Sequence, residues 1–180
     1  MRILRDQAAG LVIDMQEKLF PFISGHENLA LNSGILIKGL QALRIPILVT
    51  EQYTKGLGPT IQQIQELFDT GHPLEKFAFS CCDDPSVMDH LDSLNKKFII
   101  ITGIEAHVCV LQTAIDLLAH DFIPVIVEDC VSSRRLNDKH MAINRMRRMG
   151  AVITTYESVL FELLRYSGTE EFKAISKLVK

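Results

Sequence analysis

The sequence lacks most of the features that announce a function directly. It has no run of Lys or Arg, and its 180 residues carry a formal net charge of −3, so nothing offers nucleic-acid phosphates a basic face. The short cluster Arg145, Arg147, Arg148 reads as the solvated side of a helix. No apolar stretch approaches the roughly 20 residues that span a bilayer, and the basic start at residues 1–6 is not followed by the apolar segment and cleavage site of a secretory leader. The four cysteines, Cys81, Cys82, Cys109 and Cys130, follow neither zinc-ligand nor CxxC spacing. A reduced, cytoplasmic setting is expected, with neither membrane nor nucleic acid as partner. GxGxxG, GxxxxGK[ST] and GxSxG are all missing, which removes the dinucleotide fingerprint, the P-loop and the serine-hydrolase elbow. Repeats, low-complexity tracts and linkers are missing too, and 47% hydrophobic content is enough for one domain to bury its own core.

What is present is alternation. Short β-branched, apolar runs at 8–14, 45–51, 74–79, 98–103, 123–129 and 151–155 read as strands. Between and after them, helical spacing is found at 28–43, at 60–68, from the Asp84-Pro85 cap onward, after Cys109, at 137–149, and finally at 158–165 and 169–179. Strands alternating with helices predict an α/β fold, a parallel sheet with helices on both faces. Such sheets hold ligands outside the carboxyl ends of their strands, where the strand order reverses. The polar residues that close the strands are therefore the site candidates: Asp14, Glu51, Lys76, the turn from Glu105 to Cys109, and Asp129.

The central stretch runs Phe98-Ile99-Ile100-Ile101-Thr102-Gly103-Ile104-Glu105-Ala106-His107-Val108-Cys109. Its start is a strand buried on both faces, ended by Gly103. Cys109 then sits where strand gives way to helix, among N–H groups that favour a thiolate nucleophile. The same position suits a small buried hydrophobe. Asp14, Lys76 and Cys109 together form a chemically sensible set. The lysine would stabilise a thiolate, the acid would shuttle a proton, and N–H groups of the 105–109 turn would hold an oxyanion. Taken singly, Asp14 also fits a turn and Lys76 a solvated surface. Gln16 and Gln52 read as pocket residues or loop caps, and Phe20, Tyr53 and Phe79 as pocket walls or core. His107 reads as a supporting donor or a helix-cap residue. Asp129 is expected to organise the loop to Ser132, Ser133 and Arg134. The remaining cysteines read as structural.

Gly103-Ile104-Glu105-Ala106-His107-Val108-Cys109-Val110 and Val12-Ile13-Asp14-Met15-Gln16 resemble motifs of the isochorismatase-like cysteine hydrolases. Residues 50–60, Val131-Ser132-Ser133-Arg134 and Phe161-Glu162-Leu163-Leu164 are similar to the branch of isochorismatase-domain-containing proteins. The resemblance spans about residues 8–179. It implies a three-layer α-β-α sandwich whose six-stranded parallel sheet has the order 3-2-1-4-5-6. It also implies a catalytic triad of Asp14, Lys76 and Cys109, a cis peptide at Ile104–Glu105, and an oxyanion hole from the backbone of Glu105 and Cys109. Nicotinamidases of that superfamily hold a metal with an Asp-x-His motif after the second strand, where this chain has Glu51-Gln52-Tyr53. His72, His90, His107 and His140 show no ligand spacing, so no metal and no cofactor are expected. Isochorismatases proper lack the cysteine; Cys109 here points to a thioester route on a small amide or related C–N bond. The competing expectation is an oligomeric binding or scaffold protein that keeps the triad without turnover. Relatives form dimers and larger rings, so a homo-oligomer is expected. The C-terminal apolar face of Phe161, Leu164, Phe172, Ile175, Leu178 and Val179 would pack on the core or on a second subunit.

Overall fold

A computed structural model of the chain describes residues 1–68 and 73–180; His72 lies outside the described residues. The strands are β1 (Ala8–Ile13), β2 (Ile47–Gln52), β3 (Leu74–Lys76), β4 (Phe98–Ile104), β5 (Ile123–Ser132) and β6 (Val152–Thr154). They form one sheet in the order β3-β2-β1-β4-β5-β6, and every pairing is parallel. The helices are α1 (His26–Ala42), α2 (Thr54–Leu57), α3 (Gln62–Gln65), α4 (Pro85–Ser93), α5 (Leu111–Ala119), α6 (Leu136–Met149), α7 (Tyr156–Leu164) and α8 (Glu170–Leu178). The fold is the three-layer α/β sandwich that the alternation and the resemblance imply.

Strand periodicity divides the core. Along β1, Ala9, Leu11 and Ile13 face the layer of α4, α5 and α6, meeting Leu91, Ala114 and Met146 there. Ala8 faces the opposite layer, where α1, α7 and α8 bring Leu40, Leu160 and Ile175. Val12 sits on that same face nearer the carboxyl end, with Met15, Ile37 and Ile104. All six residues of β1 and all seven of β4 are buried, as two-sided strands at the centre of a parallel sheet must be. The C-terminal apolar face resolves onto the core: Ile175 is buried, and Phe161, Leu164, Leu178 and Val179 pack beside it. Among the described residues, no helix is long and apolar enough to cross a membrane.

Several boundaries differ from the sequence reading, each for a local reason. β3 stops at Lys76 because the next residues bend so that the Ala78 and Phe79 carbonyls accept from Lys76 Nζ. The helical spacing at 60–68 yields only the single turn α3. β5 runs on to Ser132 because its pairing with β4 shifts register between Ile101 and Gly103 and then resumes at Val131. Asp129 therefore lies inside a strand and organises no loop: its Oδ1 accepts from the Tyr156 N–H at 3.0 Å, tying β5 to α7.

Gly103 does not end β4. It pairs with Ile13 of β1 at φ of 131°, and a Cβ built on it would lie 2.1 Å from the Ile13 carbonyl oxygen. Neither the left-handed backbone nor that gap admits a side chain. Gly103→Ala is expected to lower unfolding free energy by about 3 kcal/mol, read as a shifted denaturant midpoint. A shift below a few tenths of a kcal/mol would show that β1 and β4 can part at this point without cost.

Candidate active site

Five strands deliver residues to one crevice at their carboxyl ends, beside the β1–β4 boundary where chain direction across the sheet reverses. Asp14 follows β1, Gln52 and Tyr53 close β2, Lys76 closes β3, Glu105 to Cys109 follow β4, and Arg134 follows β5. Asp14 has φ of 51°, a left-handed turn that aspartate tolerates better than most residues. It is buried, as is Lys76.

The two are an ion pair, with Lys76 Nζ donating to Asp14 Oδ2 at 2.7 Å. Thr50 Oγ1 donates to Asp14 Oδ1 at 2.8 Å. The ammonium completes its set with the carbonyls of Ala78 at 3.1 Å and Phe79 at 3.2 Å, so its three protons are all engaged. Burial works against this ammonium, but the Asp14 charge beside it and the hydrogen bond it donates to Asp14 carry its pKa above the ordinary lysine value.

Cys109 lies in the π-helical turn Ala106–Val110 that leads into α5. Its Sγ donates to Gln52 Oε1 at 3.3 Å, and the Asp14 carboxylate lines the same cavity. Gln52 Nε2 donates to the Phe77 carbonyl at 3.3 Å, which turns Oε1 toward the sulfur. The electrostatics differ from the sequence expectation of a resting thiolate. Burial and then the Asp14 charge push the thiol well above its ordinary pKa; Lys76 opposes them and loses. Cys109 rests as a thiol beside the Asp14 charge, with Gln52 Oε1 as its acceptor.

A cavity of about 320 Å³ opens over the sulfur, lined on its polar side by Asp14, Gln52, Glu105, Cys109 and Arg134 and on its apolar side by Leu19, Tyr53, Leu57, Phe79, Ile104 and Val108. Tyr53 and Phe79, which the sequence left open between wall and core, line this cavity, each about half exposed. Phe20 does not. It begins a 3-10 turn and is buried against Val12, Met15 and Ile37, while its neighbour Leu19 faces the cavity. Gln16 is a buried clamp rather than a wall. Its Nε2 donates to the carbonyls of Gln52 at 2.9 Å and Gly58 at 2.6 Å, and its Oε1 accepts from the Gln52 N–H at 2.7 Å. His107 lies outside this cavity, in a neighbouring hollow with Phe22, Arg135 and Asp138, and its Nδ1 is 2.9 Å from Ser133 Oγ.

The Ile104–Glu105 peptide is cis. The Glu105 carbonyl accepts from the N–H groups of Val108 at 3.0 Å and Val110 at 3.2 Å, fixing the turn that carries Cys109. Its carboxylate accepts from the Arg134 N–H at 2.9 Å and from Arg134 Nε at 3.1 and 3.2 Å. Arg134 and Thr50 are the polar site residues that sequence reasoning missed. Thr50 looked like strand interior, and Arg134 like loop, because β5 was expected to end at Asp129. Glu51, at the position of the metal motif in nicotinamidases, spends its Oε1 on the Thr60 N–H and Oγ1 at 2.6 and 2.7 Å. Among the described residues, no three His, Cys, Asp or Glu side chains gather as metal ligands.

The isochorismatase domain matches residues 8–158. The chain belongs to the isochorismatase family. Isochorismatase family protein 1B of Dictyostelium discoideum is 36% identical over 99% of this chain and 89% of its own. Isochorismatase domain-containing protein 2A of Mus musculus is also 36% identical, over 99% and 85%. Among solved structures, the MAR1 ribonuclease of Caenorhabditis elegans superposes with a TM-score of 0.93 at 39% identity, covering 99% of this chain and 92% of that one.

Removing one partner of the buried pair leaves the other charge uncompensated. Asp14→Asn or Lys76→Met alone is expected to cost about 3–5 kcal/mol, and the double variant less than the sum. Additive losses in denaturant titrations would mean that the two charges do not depend on each other. For Cys109 the sign follows from the raised pKa: at pH 7 its thiolate fraction lies below that of a free cysteine. Iodoacetamide alkylation at that pH should run roughly tenfold or more slower than on free cysteine and accelerate through the alkaline range. An alkylation rate at pH 7 equal to that of free cysteine would indicate a thiolate at rest.

Proposed function

We propose that the protein is a metal-independent cysteine hydrolase that cleaves a small amide or related C–N bond through a thioester on Cys109. The observation that carries this reading is that the Cys109 thiol and the ion-paired Asp14 carboxylate line one cavity. Asp14 takes the thiol proton as the sulfur attacks the substrate carbonyl carbon, which solves the problem of a thiol that rests protonated. Lys76 acts through Asp14, holding the carboxylate in place and offsetting charge without giving the sulfur a hydrogen bond. The backbone N–H groups of Glu105 and Cys109 form the oxyanion hole for the tetrahedral intermediate.

The C–N bond then breaks, and Asp14 returns its proton to the departing nitrogen. Water attacks the thioester while Asp14 takes one of its protons. The carboxylic acid leaves and the sulfur regains a proton. Gln52, Tyr53 and Phe79 contact the substrate. The reading includes a cytoplasmic protein, a homo-oligomer measurable by light scattering, and no cofactor.

The nematode relative is named a ribonuclease. A net charge of −3 and a small, largely apolar cavity favour a small uncharged or singly charged compound over RNA.

The test is a screen of small amides read by intact mass and amine release. An acyl adduct confined to Cys109 is expected, together with turnover that falls by roughly a thousandfold or more in Cys109→Ala while the melting temperature is kept. Wild-type turnover in Cys109→Ala, or RNA cleavage that survives that substitution, would overturn the covalent route. Binding of amides without any adduct would favour a scaffold or binding protein instead.

A further inference from the structure

The amino ends of the strands form a further concavity, on the edge of the sheet away from Cys109. Leu4, Arg5 and Asp6 precede β1, Arg44 and Pro46 precede β2, and Lys96 precedes β4; these three strands are neighbours. With Leu43 and the stretch from Leu163 to Tyr166 at the end of α7, they line a hollow of about 480 Å³. Its wall holds four cations, Arg5, Arg44, Lys96 and Arg165, against one acid, Asp6, in a chain whose net charge is −3. No basic run marks the site in the sequence, because the fold collects these charges from four separate places. Little in the chain answers them. Arg5 donates through Nε to the Leu43 carbonyl at 2.8 Å and stands 3.8 Å from Glu171. Lys96 Nζ donates to the Asp6 backbone carbonyl at 2.7 Å, not to its carboxylate. Arg44 and Arg165 donate through their backbone N–H groups, to Gln41 and Phe161. Among the described residues neither guanidinium has a hydrogen-bond or ion-pair partner, and that of Arg165 stands 5.8 Å from the Tyr166 ring centre.

The backbone sets these two arginines apart. Arg44 has φ of 55° and Arg165 of 67°, each just past a helix, where glycine, asparagine or aspartate is the usual occupant. The chain leaves α4, α5 and α6 in that usual way, through Asn95, Asp121 and Gly150 with φ of 51°, 63° and 107°. α1 and α7, whose ends line the hollow, carry arginine instead. A helix carboxyl end favours a cation, but an arginine within the last turn would satisfy it at ordinary helical angles. Strained arginines at two separate helix ends, both opening on one hollow, point to something that the hollow holds.

We infer that this hollow is a binding site, separate from the crevice at Cys109, for a small phosphate-bearing molecule with a flat ring, the nucleotide class. Arg44, Arg165 and Lys96 hold the phosphates: a guanidinium fork matches two phosphate oxygens, and the lysine adds a point charge. The ring lies against Tyr166, which is 70% exposed, over the apolar floor of Leu43, Pro46 and Leu163. Asp6, the one acid at the wall, is an acceptor for a sugar hydroxyl. The volume lies in the range of ordinary small-molecule sites.

The test is calorimetric titration of the full chain with ADP, pyrophosphate and adenosine. ADP is expected to bind roughly tenfold or more tightly than either fragment, with an affinity that falls as salt is added. Arg44→Gly and Arg165→Gly should each weaken ADP roughly tenfold. The melting temperature of the unliganded protein should hold or rise in both, since glycine takes those backbone angles freely. Arginines that served only to close the helices would leave ADP affinity untouched in these variants. Tyr166→Ala should bring ADP down to the affinity of pyrophosphate, and Cys109→Ala should leave ADP binding as it is. Absence of ADP binding, equal affinities for ADP and adenosine, or an ADP affinity unchanged in both glycine variants would overturn the assignment. Loss of ADP binding in Cys109→Ala would overturn it too, by placing the ligand in the crevice.

Discussion

Asp14 and Lys76 are the constraint that the carboxyl-end face of the sheet is built around. Both are buried, with 2.7 Å between ammonium and carboxylate, and every strong donor and acceptor on the two is engaged within the chain. Placing two charges there is costly, and an apolar pair of similar volume would often serve stability as well or better. The pair therefore makes better sense as a positioning device. β1 and β3 are separated by β2, and the ion pair spans that gap with Thr50 of β2 as a third member. The bend after β3 follows from the same demand, since the Ala78 and Phe79 carbonyls must come round to meet the ammonium. One electrostatic requirement thus sets the end of a strand, the turn after it and the direction of a carboxylate.

That requirement also sets the resting state of the Cys109 thiol. A thiol in a dry crevice beside a carboxylate keeps its proton, and the nearby ammonium is already spent on Asp14. The arrangement gives up a standing population of thiolate. In return, the sulfur has higher intrinsic nucleophilicity once its proton leaves, because thiolate reactivity rises with the pKa of the parent thiol. In the mechanism we propose, the base that takes the proton is the group suppressing ionisation. The sulfur is thereby protected from adventitious oxidants and alkylators while remaining one proton transfer from attack.

The fold was legible because its signals are redundant: unbroken Ile and Val runs, Gly and Pro punctuation, and helical spacing between strands each point to a doubly covered parallel sheet. The approximate location of the site was legible for a related reason, since a polar residue that closes a buried strand either turns the chain or faces the crevice beyond it. Individual roles were less so. Phe20 and Leu19 are adjacent, and only the 3-10 turn at Phe20 decides which faces the cavity. Gln16 has the right position and chemistry for substrate, yet its whole amide is consumed by three backbone groups. Arg134 was hidden by a bulge. Nothing in the residues 123–129 says that pairing resumes at Val131 and carries the chain three residues further toward the crevice.

The bulge has a larger consequence than a misplaced boundary. Gly103 allows β4 to approach β1 within a distance no side chain permits, and the same irregularity shifts β5 against β4. As a result, the residues after β4 and after β5 arrive at the crevice together: Glu105 from one, Arg134 from the other. Glu105 then serves two ends at once. Its carbonyl organises the turn that presents Cys109, and its buried carboxylate grips Arg134 from within. A residue that shapes the Cys109 turn with its backbone and holds Arg134 with its side chain ties these two parts of the crevice together through a single peptide unit. On the function we propose, the groups that do chemistry come from β1, β3 and β4, whereas those that meet a ligand's remainder come mainly from β2 and β5. On that reading, substrate range changes through the latter two strand ends while the buried pair and the sulfur stay where they are.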